Sequence, residues 1–318
     1  MGAFMRLLIT GGLGYLGGRL AQYWGEQGEH EIVLGTRHPA EPPRWLPQAR
    51  LVQTRWDSLA SLEESCSGVD AVIHLAGMNA QDCNADPVAA LEFNGTATAR
   101  LLQAAIRQKV KKFIYLSTAH VYGSPLAGVI TEETCPVSLH PYTTSHRAGE
   151  DVVRGTYQRG EIEGVVIRLS NAYGAPAHKD ANCWMLLVSD LCRQAVTTRR
   201  MVLKSTGVQR RDFVSLSEVC RAIDHLMRLP GENLGKGLFN VGGEWSPTVW
   251  EMACFVRERS RLVLGFQPEL TRVPPPFDEV AADLDYRLDA LHQTGFHPSS
   301  DRVAEIDRLL EFCKASFL

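Results

Sequence analysis

Three glycines spaced by three residues, Gly11, Gly14 and Gly17, follow a short apolar run and open a helical pattern. That arrangement turns backbone N–H groups and a helix N-terminus toward one point, which is what binding a pyrophosphate needs. Gly11 is expected to allow the tight bend, Gly14 the close approach of the phosphates and Gly17 the packing of the helix on the strand, with Thr10 leading in. A second apolar run ends in Gly35, Thr36, Arg37 and His38, without a carboxylate. An acid there would bond the ribose 2′-hydroxyl of NAD and repel the 2′-phosphate of NADP, whereas a guanidinium pairs with phosphate. NADP(H) is therefore favoured over NAD(H); the alternative is that Arg37 is a solvated loop residue. Asp57, after the third apolar run, is placed to bond the adenine amino group or to cap the next helix.

The elements that must carry this turn are legible as alternating short apolar runs and helical patterns. Strands are predicted from Arg6 to Thr10, Glu31 to Gly35, Arg50 to Thr54, Ala71 to Leu75, Lys112 to Ser117 and Val165 to Leu169. Helices are predicted from Leu16 to Gln27, Pro87 to Gln108 and Tyr142 to Arg159. The fold class is α/β, a doubly wound parallel sheet of the Rossmann type with a smaller, mainly C-terminal domain. Residues 1–172 should form the dinucleotide-binding domain, with part of 211–241 returning to it, and 173–318 mainly the substrate domain. That second half reads as irregular, with short elements, the run Pro274, Pro275 and Pro276, and the Gly242 and Gly243 turn.

The bulk numbers exclude several other classes. With 318 residues and 45% hydrophobic content the chain can bury a full core. A net charge of -3 with interspersed charges offers no basic face for nucleic acid. No apolar stretch approaches the roughly 18 residues of a membrane span and no signal peptide is visible, so a cytoplasmic location is expected. Eight cysteines without a CxxC pair suggest reduced, core-filling thiols and no metal site.

Further along, Ser117-Thr118-Ala119-His120-Val121-Tyr122-Gly123 is followed by Pro141-Tyr142-Thr143-Thr144-Ser145-His146-Arg147-Ala148-Gly149-Glu150. With the glycine turn, and with Arg168-Leu169-Ser170-Asn171-Ala172-Tyr173-Gly174 and Gln209-Arg210-Arg211-Asp212-Phe213, the chain resembles the extended short-chain dehydrogenase/reductase family, in its sugar-nucleotide epimerase, dehydratase and reductase branch. The resemblance covers most of the chain. It implies hydride transfer between a nicotinamide and a sugar carbon, with Tyr142 as proton donor or acceptor and Thr118 sharing the same oxygen. A ketone that accepts hydride becomes an alkoxide unless a nearby hydroxyl protonates it. Ser117 is expected to bond the backbone. The expected cofactor contacts are Thr10, Gly11, Gly14, Tyr15, Leu16, Gly17, Thr36, Arg37, His38, Asp57, Leu75, Ala76, Gly77, Asn94, Tyr142 and His146.

One departure stands at the fourth residue after the tyrosine, where the family has lysine and this chain has His146. One helical turn apart, Tyr142 and His146 share a face, whereas Arg147 is rotated by about 140°. The family lysine holds the nicotinamide ribose and lowers the tyrosine pKa; a histidine near its reference value is mostly neutral at pH 7. Tyr142 should then stay protonated, which favours reduction over oxidation. Family members that eliminate water carry an Asp-Glu pair after the Thr118 position; Ala119 and His120 argue against that dehydration. His120 is either an additional acid or base beside the sugar or a structural histidine.

Arg211 and Asn171 match family positions that grip a diphosphate; the alternative for Arg211 is a structural pair with Asp212. A second phosphate-binding arginine common near the family's C-terminus is absent from Pro274-Pro275-Pro276-Phe277-Asp278. The leading expectation is an NADPH-dependent reductase of a nucleotide-linked keto-sugar. The alternatives are an NAD(P)-dependent nucleotide-sugar epimerase, a ketone reductase on a non-nucleotide substrate, and a catalytically weak dinucleotide-binding module. The resemblance further implies a homodimer through the helices around Asn94 to Arg107 and Tyr142 to Thr156.

Overall fold

A computed structural model describes residues 4–299 and 301–318. The chain begins with β1 (Met5–Thr10), α1 (Tyr15–Gln27), β2 (His30–Thr36), β3 (Arg50–Gln53), α2 (Leu59–Ser65) and β4 (Ala71–His74). It continues through α3 (Ala80–Ala85), α4 (Pro87–Ala90), a π-helical stretch Leu91–Ala97, α5 (Thr98–Arg107), β5 (Lys112–Thr118), β6 (Gly128–Ile130), α6 (Pro141–Gln158) and β7 (Glu163–Leu169). Then come β8 (Asn171–Tyr173), α7 (Leu187–Thr198), β9 (Arg200–Leu203), β10 (Phe213–Ser215), α8 (Leu216–Arg228) and β11 (Leu238–Val241). The last elements are α9 (Val249–Leu264), β12 (Glu269–Arg272), β13 (Leu284–Tyr286), α10 (Asp289–Gln293) and α11 (Val303–Phe317).

Seven strands make one sheet in the order β11-β7-β5-β4-β1-β2-β3, every neighbouring pair parallel. Alternate strand residues enter opposite layers: Leu7 and Ile9 pack with Leu20, Trp24 and the α8 residues Val219 and Ile223. Leu8 and Val72 pack instead with Leu62 of α2 and with Leu101 and Ala105 of α5. Both faces are thus covered, which is why the strands read as continuous apolar runs. The order reverses beside β1, so the C-terminal ends of β1 and β4 flank the crevice where doubly wound sheets bind ligands. No helix among the described residues is long and apolar enough to cross a membrane.

The half expected to be irregular is more regular than its sequence suggests. Helices α7, α9 and α11 have 12, 16 and 15 residues and share a separate core of Leu191, Val256, Ile306 and Leu310. Thr248 and Glu251 close a full capping box at the start of α9. β11, missing from the predicted strands, pairs with β7 along Leu238 to Val241. The predicted helix from Pro87 to Gln108 exists but is interrupted by the π-helical Leu91–Ala97, a device common at functional sites.

Candidate active site

Parallel strands bring the ends of β1, β4 and β5 to one edge, where the glycine turn, the Leu75 to Gly77 segment and Thr118 meet α6. Gly11 has φ +70, and a side chain there would meet Ala76 N at 2.9 Å, so the turn lies against the end of β4. Gly14 donates its N–H to Gly11 O at 2.8 Å and starts α1 without a side-chain cap. The first-turn N–H groups of α1, including those of Tyr15 and Leu16, therefore have no side-chain cap among the described residues, which suits an anion. A cradle that a Cβ would fill, at the positive end of a helix, fits a dinucleotide pyrophosphate.

Three details of the turn differ from expectation. Gly17 packs on the turn itself rather than on the strand, since its Cβ would lie 2.2 Å from Gly11 O. Thr10 is fully buried with its hydroxyl 2.7 Å from His74 Nδ1, so its side chain supports the turn from beneath instead of facing a cofactor. Thr36 is likewise buried and donates to His38 O at 2.8 Å, shaping the loop that leaves Arg37 and His38 exposed. Arg37 has no carboxylate partner among the described residues. Asp57 is exposed, and the cap of α2 is Ser58, whose hydroxyl accepts from Ser61 N. Tyr15 donates its phenol proton to Gly174 O at 2.9 Å, tying α1 to the segment after β8.

The reacting corner is built by α6, whose first turn is held by His140 accepting from Tyr142 N and by Pro141 at the first helical position. Tyr142 and His146 stand one turn apart with ring centroids 4.6 Å from each other, edge to face. His146 is only 7% exposed, and burial pushes its imidazole down to about 4. Tyr142 is half-buried; desolvation raises its phenol pKa, opposed by the Thr118 hydroxyl facing it. Thr118 accepts from His120 N at 3.2 Å, leaving its own proton to donate. The edge of His146 faces Gly77, where a Cβ would come within 3.4 Å of both His146 Cε1 and Asn94 Oδ1. Asn94, buried in the π-helical stretch, accepts from Met78 N at 2.9 Å and donates to Ser145 Oγ at 3.0 Å, so it pins the loop after β4 to α6. Tyr142, His146, Thr118, Gly77 and Asn94 thus converge.

Ser117 does not bond the backbone. It donates to Glu150 Oε1, and Glu150, wholly buried, forms a two-pronged pair with Arg168, whose Nη2 lies 2.6 Å from Oε2. A buried charge pair with its remaining oxygens bonded holds β5, α6 and β7 together under the site. His120 is half-buried with Nδ1 lacking a partner among the described residues, and its pKa is lowered by burial and then by neighbouring Arg211. Arg211 is also half-buried, and burial lowers its pKa. It does not pair with Asp212: that carboxyl accepts from Gly243 N at 3.0 Å and Trp245 N at 3.1 Å, and burial lifts it to about 6. Asn171 donates its side-chain N–H to Asp212 O at 3.0 Å, so it flanks Arg211 through the backbone. Sequence reasoning missed Tyr115, whose phenol lies 3.0 Å from His146 Nδ1, and Ser145; the aromatic residue in β5 carries no local signal of its partner.

A model of the NAD dependent epimerase/dehydratase family matches residues 7–242. dTDP-glucose 4,6-dehydratase from Streptomyces niveus is 27% identical, the alignment covering 96% of this chain and 91% of that protein. The solved structure of TunA, an NAD-dependent NDP-hexosamine 5,6-dehydratase, is 25% identical with a TM-score of 0.77, covering 98% of each chain. UDP-glucuronic acid 4-epimerase from Bacillus cereus, solved with UDP-glucuronic acid and NAD, has a TM-score of 0.78 at 19% identity over 98% of this chain and 99% of that one. The chain belongs to the NAD dependent epimerase/dehydratase family, an extended short-chain dehydrogenase/reductase of the sugar-nucleotide type.

Proposed function

We propose that this enzyme uses NADPH to reduce the ketone of a nucleotide-linked keto-sugar. The observation that carries the reading is the buried, neutral His146 beside Tyr142: its imidazole sits at about 4, and the phenol is raised rather than lowered. With no fixed positive charge against it, Tyr142 enters the cycle protonated, able to give a proton and ill suited to take one. When bound, the nicotinamide supplies hydride to the carbonyl carbon. Thr118 and Tyr142 bond the carbonyl oxygen, and Tyr142 protonates it as negative charge develops.

In this reading residues 1–172 with part of 211–241 returning to them hold the dinucleotide, and 173–318 mainly the substrate. Gly11, Gly14, Gly17 and the start of α1, at Tyr15 and Leu16, take the pyrophosphate. Arg37, exposed and without a carboxylate partner, takes the 2′-phosphate with His38 beside it, and Asp57 the adenine. Leu75, Ala76, Gly77 and Asn94 wall the nicotinamide side, and His146 bonds its ribose. Arg211 and Asn171 grip the substrate diphosphate; Arg211 is half-buried, donating to the Gln209 side-chain oxygen at 2.6 Å and without a carboxylate partner among the described residues, so its charge is left for a phosphate. A homodimer through the helices around Asn94 to Arg107 and Tyr142 to Thr156 is supported by the exposed apolar residues Val88 and Leu91 just ahead of the first and Val152 within the second.

A second reading, a nucleotide-sugar epimerase, is favoured by one feature. His120 keeps an Nδ1 without a partner among the described residues and a lowered pKa beside Arg211, so it is a neutral base for removing a proton next to a ketone. Incubation of purified enzyme with nucleotide keto-sugars and NADPH or NADH separates the two readings. Reduction should consume NADPH stoichiometrically, with NADPH bound about tenfold more tightly than NADH. Interconversion of nucleotide sugars without net cofactor use would replace the reductase with the epimerase.

A further inference from the structure

We infer that Tyr115 sets the position of the single proton on His146, and so decides that the imidazole presents an N–H rather than a lone pair to the cofactor. The inference rests on the reading above, in which His146 bonds the nicotinamide ribose. Its basis is a count of protons through a buried chain of hydroxyls and imidazoles running from β1 to α6.

The chain can be solved from one end. Thr98 has one hydroxyl proton and donates it to Asn94 O at 2.7 Å. Its contact with His74 Nε2 at 2.9 Å must then be an imidazole N–H donating to the threonine oxygen. His74 is neutral, held down to about 3 by burial first and His146 second, so its Nδ1 carries no proton and accepts from the Thr10 hydroxyl at 2.7 Å. Every donor is used once, and the His74 tautomer follows.

The hydrogen-bonded chain continues to His146 through Tyr115. Burial keeps the Tyr115 phenol far above its ordinary pKa, so it has a proton to donate. Three acceptors surround it: His146 Nδ1 at 3.0 Å, Asn94 O at 3.4 Å and His146 O at 3.4 Å. Both carbonyls stand at 3.4 Å, where hydrogen bonds are weak, and only Nδ1 is at full hydrogen-bond distance, so Nδ1 takes the proton. A neutral imidazole that accepts at Nδ1 carries its hydrogen on Nε2. That edge lies along Gly77, 3.7 Å from where a Cβ there would stand, and beside the Tyr142 ring. Tyr115 can stand in this place because residue 149 is glycine: a Cβ would fall 2.5 Å from its hydroxyl.

His146 thereby keeps the hydrogen-bond donor of the family lysine without the charge, and Tyr115 is a positioning residue that acts through it. This separates two jobs that one ammonium performs together, holding the ribose and lowering the tyrosine pKa.

The test is the nitrogen spectrum of the imidazoles in 15N-histidine-labelled protein at neutral pH, with His146→Gln identifying the signals. The wild type should show protonated Nε2 and unprotonated Nδ1 at His146, and Tyr115→Phe should yield a mixture of tautomers. Dinucleotide binding by Tyr115→Phe should weaken about fivefold, the worth of one neutral hydrogen bond. In a His146→Lys background, where no tautomer exists, the same change should alter binding by less than about twofold. Protonated Nδ1 in the wild type, or equal weakening in both backgrounds, overturns the inference. Should Tyr115→Phe not fold, the wild-type spectrum alone decides. A wild type that binds no dinucleotide refutes the reading of the cofactor site, while the spectrum still settles what Tyr115 does.

Discussion

The glycine turn and the Tyr142 corner lie on the same edge of the sheet yet are built on different principles. The turn works through backbone: Gly11, Gly14 and Gly17 exclude side chains so that N–H groups can face a phosphate, and only Cβ atoms would spoil it. The corner works through the environment of a few side chains, and there one substitution, His146 for lysine, changes the charge that a neighbouring phenol experiences. Backbone sites tolerate drift in the residues around them, whereas side-chain sites transmit each change into proton affinity. Cofactor binding and the direction of chemistry can therefore evolve separately in one cleft.

The contrast can be broken first at the corner. Tyr142→Phe removes the proton donor and should lower turnover by about 10²- to 10⁴-fold while leaving the cofactor Kd within about twofold of wild type, measured by stopped-flow and fluorescence titration. Equal losses in turnover and binding would mean that Tyr142 holds the cofactor instead. The turn should fail in the opposite manner. Gly17→Ala places a methyl 2.2 Å from Gly11 O, so dinucleotide binding should weaken by about a hundredfold, with a lower Tm.

Smaller effects sharpen the comparison. If Arg37 takes the 2′-phosphate as proposed, Arg37→Ala should cost about tenfold in NADPH affinity and nothing in NADH affinity; parallel losses in both would return Arg37 to the solvated loop. The last effect is on stability. His146 titrates near 4 when folded, against an ordinary value of 6.5. The unfolded chain thus binds more protons between those values, so this stability is whole above pH 6.5 and is lost as pH falls toward 4. His146→Gln, carrying no titrating group, should show a flatter acid limb in denaturant titrations between pH 6.5 and 4.

Most of the turn was readable in the sequence because its logic is local. The glycines, the apolar run before them and the helical pattern after them lie within one short stretch, and Arg37 follows its strand directly. The corner was readable in part. Tyr142 and His146 share a helix face by spacing alone, but the partner of His146 is Tyr115, 31 residues earlier and on a strand. The bond from Ser117 to Glu150, 33 residues on, depended equally on how α6 lies across β5. The π-helical stretch around Asn94 was hidden because one wider turn barely disturbs a helical period. The regular helices of the second half were obscured by the prolines and glycines between them, which mark turns without revealing what they join.

The central claim is that His146 leaves Tyr142 protonated at neutral pH. It is tested most directly by the ultraviolet difference titration of wild type against Tyr142→Phe, which isolates one phenol, repeated in His146→Lys. The account predicts that Tyr142 ionises above the ordinary tyrosine value of 10 in the wild type and at lower pH once lysine is present. A wild-type Tyr142 that ionises at or below neutral pH, or one that His146→Lys leaves unmoved, would contradict it.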